Sequence, residues 1–136
     1  LFCYDERRAG AVSSGVATKL VCDTEEYDTH DRYASGRFTA SIAGDYQFST
    51  TLRVNNSSGV STGANISFYK NGSEFNRAFG GAVSDGSQIS VSMPIYLGIG
   101  DYVEIYPLIS GSGTPNFNYA TSAITCRFSG ALVAPA

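Results

Sequence analysis

The sequence predicts an all-β fold, an antiparallel sandwich of strands joined by short turns, and three observations lead there. The first is strict alternation over residues 46–54. Tyr46, Phe48, Thr50, Leu52 and Val54 share one face, and Gln47, Ser49, Thr51 and Arg53 share the other, which is the period of a strand with one side buried. The second is punctuation: Ala43-Gly44-Asp45, Lys70-Asn71-Gly72 and Gly98-Ile99-Gly100-Asp101 separate the apolar runs, and Asn-Gly is the preferred pair of a two-residue hairpin. The third is composition, with nine tyrosines, eight phenylalanines and no tryptophan, a bias that suits pleated surfaces better than helices. Strands at this spacing, with no amphipathic helical period, give a sandwich or barrel. No internal repeat is visible, which argues against a propeller or solenoid.

The elements follow in chain order. Leu1–Val12 reads as a first strand, with Leu1, Cys3 and Asp5 on one face and Phe2 and Tyr4 on the other. Lys19–Cys22 reads as a short strand running into a segment, residues 23–31, that holds five of the twelve acidic residues. That segment lacks the spacing of a calcium loop, and neighbouring acids in an extended chain point opposite ways; it reads as a solvated strand edge rather than a weak calcium site. Residues 37–42 form a short strand before the alternating one. Residues 55–63 are a polar loop, residues 64–69 and 73–79 the two arms of a hairpin, and residues 88–97 a strand burying Ile89, Val91, Met93, Ile95 and Leu97. Residues 102–109 place Val103 and Ile105 inward and Tyr102, Glu104 and Tyr106 outward. Residues 110–115 are a second flexible loop, and residues 123–133 the terminal strand.

A chain of 136 residues is one domain, spanning residues 1–136, able to bury roughly two thirds of its unfolded surface. Charged residues make up 15% and the formal net charge is −3, which gives no electrostatic footprint for nucleic acid or an anionic membrane. No apolar run approaches the roughly 20 residues of a membrane span, and there is no signal-peptide pattern. The first residue is not Met, so the chain is expected to be a processed product or a domain of something longer.

Chemistry is sparse. His30 is the one histidine, it sits in a polar segment, and no Gly-x-Ser-x-Gly elbow accompanies it, so no catalytic residue is assigned. Asp45, Glu74, Asp85, Asp101 and Glu104 read as turn or edge residues. Cys3, Cys22 and Cys126 are scattered, with no Cys-x-x-Cys pair for a metal, and an odd count of this kind reads as buried, reduced thiols. No cofactor or metal is expected. Asn-x-Ser triplets begin at Asn55, Asn56, Asn65 and Asn71, a frequency that an Asn- and Ser-rich chain reaches by chance.

Several of these segments together resemble the globular head domain of complement component one, subcomponent q, and its relatives in the tumour necrosis factor superfamily. The resemblance is carried by Gly36-Arg37-Phe38-Thr39, Ala43-Gly44-Asp45-Tyr46-Gln47-Phe48, Lys70-Asn71-Gly72, residues 97–105 and Phe128-Ser129-Gly130-Ala131-Leu132-Val133, in the family's order over nearly the whole chain. Ala43 stands where many animal members have Pro, the usual Trp is missing, and the run from Thr24 to Thr39 looks closest to the microbial and phage branch. The resemblance implies a jelly-roll sandwich of two roughly five-stranded sheets assembling as a compact homotrimer. It also implies that the first and last strands are neighbours, which opens a Cys3–Cys126 disulfide as an alternative to free thiols.

The residues themselves point toward the same assembly. Tyr69, Tyr102 and Tyr106, with Tyr4 a weaker candidate, are aromatics on faces opposite the inferred core, and tyrosine suits an interface that is part apolar and part wet. Binding determinants are expected in the polar loops, at Asn56, Ser58, Ser61, Thr62, Ser112, Thr114 and Asn116. The expected function is a trimeric virion-surface module: a tail-fibre or spike head, or a capsid decoration. It would bind other virion proteins, or a host-surface protein or glycan. The alternative is a secreted recognition head on a collagen-like or coiled-coil stalk. Either way the location is a virion surface or the extracellular space, and the chain is not expected to be an enzyme.

Overall fold

Alternating stretches become paired strands throughout the structure, a computed structural model that describes residues 1–4, 15–56, 59, 61–78, 81–113, 116–117 and 126–136. The strands are β1 (Phe2–Tyr4), β2 (Thr24–Tyr27), β3 (Tyr33–Ala34), β4 (Arg37–Thr39), β5 (Gly44–Asn55), β6 (Ser61–Lys70), β7 (Ser73–Ala78), β8 (Gln88–Leu97), β9 (Tyr102–Gly111), β10 (Asn116–Phe117) and β11 (Arg127–Pro135). They make two antiparallel sheets. One is six-stranded, ordered β10-β5-β11-β1-β2 with β8 also pairing β5, and the other is five-stranded, ordered β3-β4-β9-β6-β7. The first and last strands are neighbours, Phe2 opposite Ser129 and Cys3 opposite Phe128. This is the predicted jelly-roll sandwich.

The alternation of β5 is the spine of the core. Tyr46, Phe48, Thr50, Leu52 and Val54 are all buried, and the one polar member, Thr50, donates its hydroxyl to the Arg127 carbonyl at 3.0 Å, so its burial leaves no orphaned group. Ile66 and Phe68 of β6 and Val103, Ile105 and Ile109 of β9 face them from the other sheet. On β8, Ile89, Ile95 and Leu97 are buried, but Val91 and Met93 are half-buried, because among the described residues β8 pairs with β5 alone and is an edge.

Four expectations change. Lys19–Cys22 joins no ladder; instead Thr18 and Leu20 donate backbone N–H groups to the carbonyls of Pro107 and Ile105, and the strand of this region is the acidic β2. Ser61, assigned to a loop, opens β6. Terminal strand β11 starts at Arg127, while the expected strand residues 5–12, 79 and 123–125 lie outside the described residues. The cysteine pairing differs most. Cys3 is bonded to Cys22, with Cα atoms 5.8 Å apart, and Cys126 is a buried thiol outside that bond. The register explains this: Phe128, not Cys126, stands opposite Cys3 on β11, whereas β2 pairs with β1 through Cys3 and Glu25, bringing the residues just before β2 over Cys3.

The expected hairpin turn forms, with Asn71 (φ 51°) and Gly72 (φ 82°) both left-handed. It is locked to the turn before β9. Asp101 accepts from the Asn71 amide at 2.8 Å and from the Gly98 N–H at 2.8 Å, and Lys70 lies 3.3 Å from its carboxylate. The Asn71 amide first, then the Gly98 N–H and Lys70, hold the Asp101 carboxyl below the usual aspartate value. A depressed folded pKa means the unfolded chain takes up the proton first. The stabilisation is therefore whole above the unfolded aspartate pKa and is lost as pH falls through the depressed folded value. Asp101→Asn should flatten that acid limb: its urea midpoint, followed by fluorescence from neutral pH downward, should fall less on acidification than the parent's.

Candidate functional site

Alternation along β9 and β6 sets out the first candidate surface. Core residues Val103, Ile105 and Ile109 leave Tyr102, Glu104 and Tyr106 on the outer face of the five-stranded sheet, and β6 adds Ser67 and Tyr69 beside them. The Tyr69 and Tyr106 rings meet with centroids 4.2 Å apart, and the Arg37 guanidinium lies 3.7 Å over the Tyr102 ring, a cation–π contact. Tyr69, Tyr102 and Tyr106 are thus brought together. Tyr4 is not: it sits on the other sheet, where Phe2, Tyr4 and Tyr27 gather with ring centroids 6.0–6.2 Å apart.

Glu104 corrects its reading as a turn or edge residue. It points to this outer face yet is 4% exposed, because Gly15–Leu20 runs along β9 and its Lys19 closes over the carboxylate at 3.6 Å. Arg37 donates to the same oxygen from Nε at 3.0 Å. A carboxylate taken out of water at this depth needs such partners. Its charge is felt next door: burial first, then the Glu104 charge, pushes the Tyr106 hydroxyl pKa upward. On β7, Glu74 takes a two-pronged contact from Arg77, at 2.7 and 3.0 Å, and the Ser67 hydroxyl at 2.6 Å, which together hold the Glu74 carboxyl low. The face is aromatic at its centre and rimmed by satisfied ion pairs.

The loop residues divide. Asn56 is buried, not displayed: its amide donates to Ser61 Oγ and to the Ser112 carbonyl, both at 3.0 Å, and its N–H donates to Asp85 at 2.8 Å. Ser61 is buried with it. Both residues staple the loop instead of presenting it, the Asn56 amide nitrogen tying the two loop ends at Ser61 and Ser112 together. Thr62 and Ser112 are exposed. Ser58 and Thr114 lie outside the described residues, and Asn116 lies in β10 opposite Asn55.

A third feature escaped sequence reasoning. A half-open hollow of about 270 Å³ opens between the β2–β3 loop, the turn after β4, and β11. Phe38 and Tyr46 form its floor, with ring centroids 5.5 Å apart. His30, read as merely solvated, stands on its rim with Arg32. Asp28 shapes that rim by accepting the backbone N–H groups of Arg32 and Tyr33, the latter at 2.6 Å. The available signal was Asp28 four residues before Arg32 in a segment too polar to be core, but nothing in the sequence says which wall lies opposite. Among the described residues, no group of three or more His, Cys, Asp or Glu side chains is placed to hold a metal ion.

No protein-family model matches the chain, and no curated protein matches its sequence. Solved structures do resemble it. The globular domain of zebrafish complement 1qA protein superimposes with a TM-score of 0.63 at 16% identity, covering 99% of this chain and 98% of that one. A family 35 carbohydrate binding module from an environmental isolate gives a TM-score of 0.48 at 14% identity, over 100% of this chain and 97% of that one. The first likeness places the fold with the complement globular domain, as the sequence resemblance implied.

Proposed function

We propose that this chain is a non-catalytic binding head that assembles as a homotrimer on a virion surface. It would be a tail-fibre or spike head or a capsid decoration from the microbial or phage branch of the fold, engaging other virion proteins or a host-surface protein or glycan. The observation that carries the binding-head reading is the end-to-end likeness to a complement globular domain. Assembly draws support from the two aromatic patches. In a cyclic trimer each contact is heterologous, so every protomer offers two different surfaces; Tyr69, Tyr102 and Tyr106 supply one and Tyr4, beside Phe2 and Tyr27, the other. The exposed Thr62 and Ser112 then belong to the displayed loops.

A second reading, a secreted recognition head on a stalk, is favoured by the same likeness, because that neighbour is a zebrafish protein. The Cys3–Cys22 bond suits either location, since disulfides persist at cell and virion surfaces. A collagen-like repeat preceding the domain in its parent protein would select the secreted head, and neighbouring virion structural genes the particle.

Light scattering at micromolar concentration should give three times the 14.4 kDa chain mass. Tyr69→Lys/Tyr106→Lys should shift that mass toward one chain with the far-ultraviolet spectrum unchanged, because a buried interfacial aromatic is worth about 2 kcal/mol or more. A parent chain of monomeric mass would overturn the assembly.

A further inference from the structure

Asn71 is the one asparagine of the chain that is followed by glycine. Such a pair is the least hindered place for a backbone nitrogen to attack a side-chain amide, because glycine has no side chain to shield its nitrogen. Both residues lie exposed at the tip of the β6–β7 hairpin, where water reaches them. The turn itself asks only for left-handed φ at the two positions. What surrounds Asn71 goes further, because the turn before β9 grips its amide at both ends. Nδ2 donates to Asp101 Oδ1 at 2.8 Å, and Oδ1 accepts the Tyr102 N–H at 2.9 Å. The Asn71 backbone N–H donates in turn to the Tyr102 carbonyl at 3.0 Å.

We propose that Asn71 is a hydrolytic modification site, converted to aspartate or isoaspartate through a cyclic imide with Gly72, at a rate set by a grip that the conversion then destroys. In the first step the Gly72 nitrogen bonds to Asn71 Cγ and the Cγ–Nδ2 bond breaks. Nδ2 takes up the proton that the Gly72 nitrogen loses and departs as ammonia. Water then adds across either C–N bond of the imide ring, giving aspartate or its isoaspartate isomer, and no other reactant is needed. Because Nδ2 is the leaving group, the first step must break its charge-assisted bond to Asp101, so folding slows it. Afterwards an acceptor oxygen stands where the donor stood, and two carboxylates face each other across the former hydrogen bond. Lys70, 3.3 Å from the Asp101 carboxylate, answers one of those charges and not both. The isoaspartate product also carries the main chain through Cγ and so lengthens the turn. Either product loosens the hairpin from the turn before β9. The inference depends neither on the binding role nor on the trimer.

The test ages the intact chain in mildly alkaline buffer, folded and in urea, and follows Asn71 by peptide mapping with mass spectrometry, which reads the amide-to-acid mass gain. Folding should slow the loss of the amide by about tenfold or more, the factor for breaking one charge-assisted hydrogen bond on the way to the barrier. Asp101→Ala, with its fold checked by circular dichroism, should bring the folded rate most of the way to the rate in urea. Asn71→Asp, which builds the product directly, should lower the folding constant in neutral buffer by about tenfold or more, the effect of one pKa unit of repulsion between carboxylates that share a site. Adding Asp101→Asn to that variant puts an amide donor opposite the new carboxylate and should restore most of the loss. Equal rates folded and in urea overturn the grip, and no conversion at Asn71 even in urea overturns the site. A variant Asn71→Asp as stable as the parent, or one that Asp101→Asn does not rescue, overturns the consequence assigned to the product.

Discussion

Opening the Cys3–Cys22 disulfide is expected to lower the thermal midpoint by about 10 °C. The bond closes a loop of sequence separation 19, and a loop of that size constrains the unfolded chain by about 3 kcal/mol; for a domain of this length each kcal/mol moves the midpoint by about 3–5 °C. Cys3 is fully buried in β1, and Cys22 stands just before β2 with its N–H donated to the Tyr33 hydroxyl at 3.1 Å. The bond therefore anchors the stretch that carries Lys19 over Glu104. Cys3→Ala/Cys22→Ala should show the full loss, and the parent protein with and without reductant, at one fixed concentration because an oligomer's midpoint depends on it, should show the same shift. Thiol titration of denatured, unreduced protein should find one thiol per chain, that of Cys126. Three thiols would remove the bond, and the stability it is assigned, from the account.

That pairing also marks where sequence reasoning stops. The β5 alternation, the Asn71-Gly72 turn and the inward faces of β8 and β9 were legible because each is a local pattern: period two states which side is buried without naming what buries it. Cys22 lies in a segment with no such pattern, and its position depends on β2 adding to the sheet edge next to β1, a non-local event. Glu104 failed for the same reason. Its place on the outer face was correct, but Gly15–Leu20 lies alongside β9 and covers it, and no periodicity in residues 15–20 announces a cover. Asn56 and Ser61 read as displayed loop because polar residues in a run of Asn and Ser usually are; here the Asn56 amide donates to the Ser61 hydroxyl across the base of the loop. The hollow around Asp28 and Arg32 was invisible for a simpler reason. Its walls come from Leu1, the end of β2 with the β2–β3 loop, the stretch from β4 through the following turn into β5, and β11, parts far apart in the chain.

The tightest packing in the core yields the second large effect. Phe48, fully buried on β5, stacks on Phe128 with centroids 5.7 Å apart and planes at 9°, and meets Phe38 edge-on at 5.4 Å. Opposite it on β11 stands Gly130, where a Cβ would lie 2.5 Å from Phe48 Cε1 and 2.6 Å from Cδ1. The ring occupies the space a side chain would have filled, so this glycine serves close approach and not an unusual backbone angle. Phe48→Ala should cost about 3–5 kcal/mol through the lost ring and the cavity left behind. Gly130→Ala, which adds one methyl, should still cost about 1–3 kcal/mol by driving the ring off its seat. The two effects must couple. In a Phe48→Leu background the shorter side chain no longer reaches across β11, and Gly130→Ala should lose most of its penalty, giving a coupling of about 1 kcal/mol or more in a double-mutant cycle by urea denaturation. Additivity within about 0.5 kcal/mol would mean that the ring and the strand do not share that space. Coupling of the expected size would place the jelly-roll closure, last strand against the long central one, on the contact between Phe48 and Gly130.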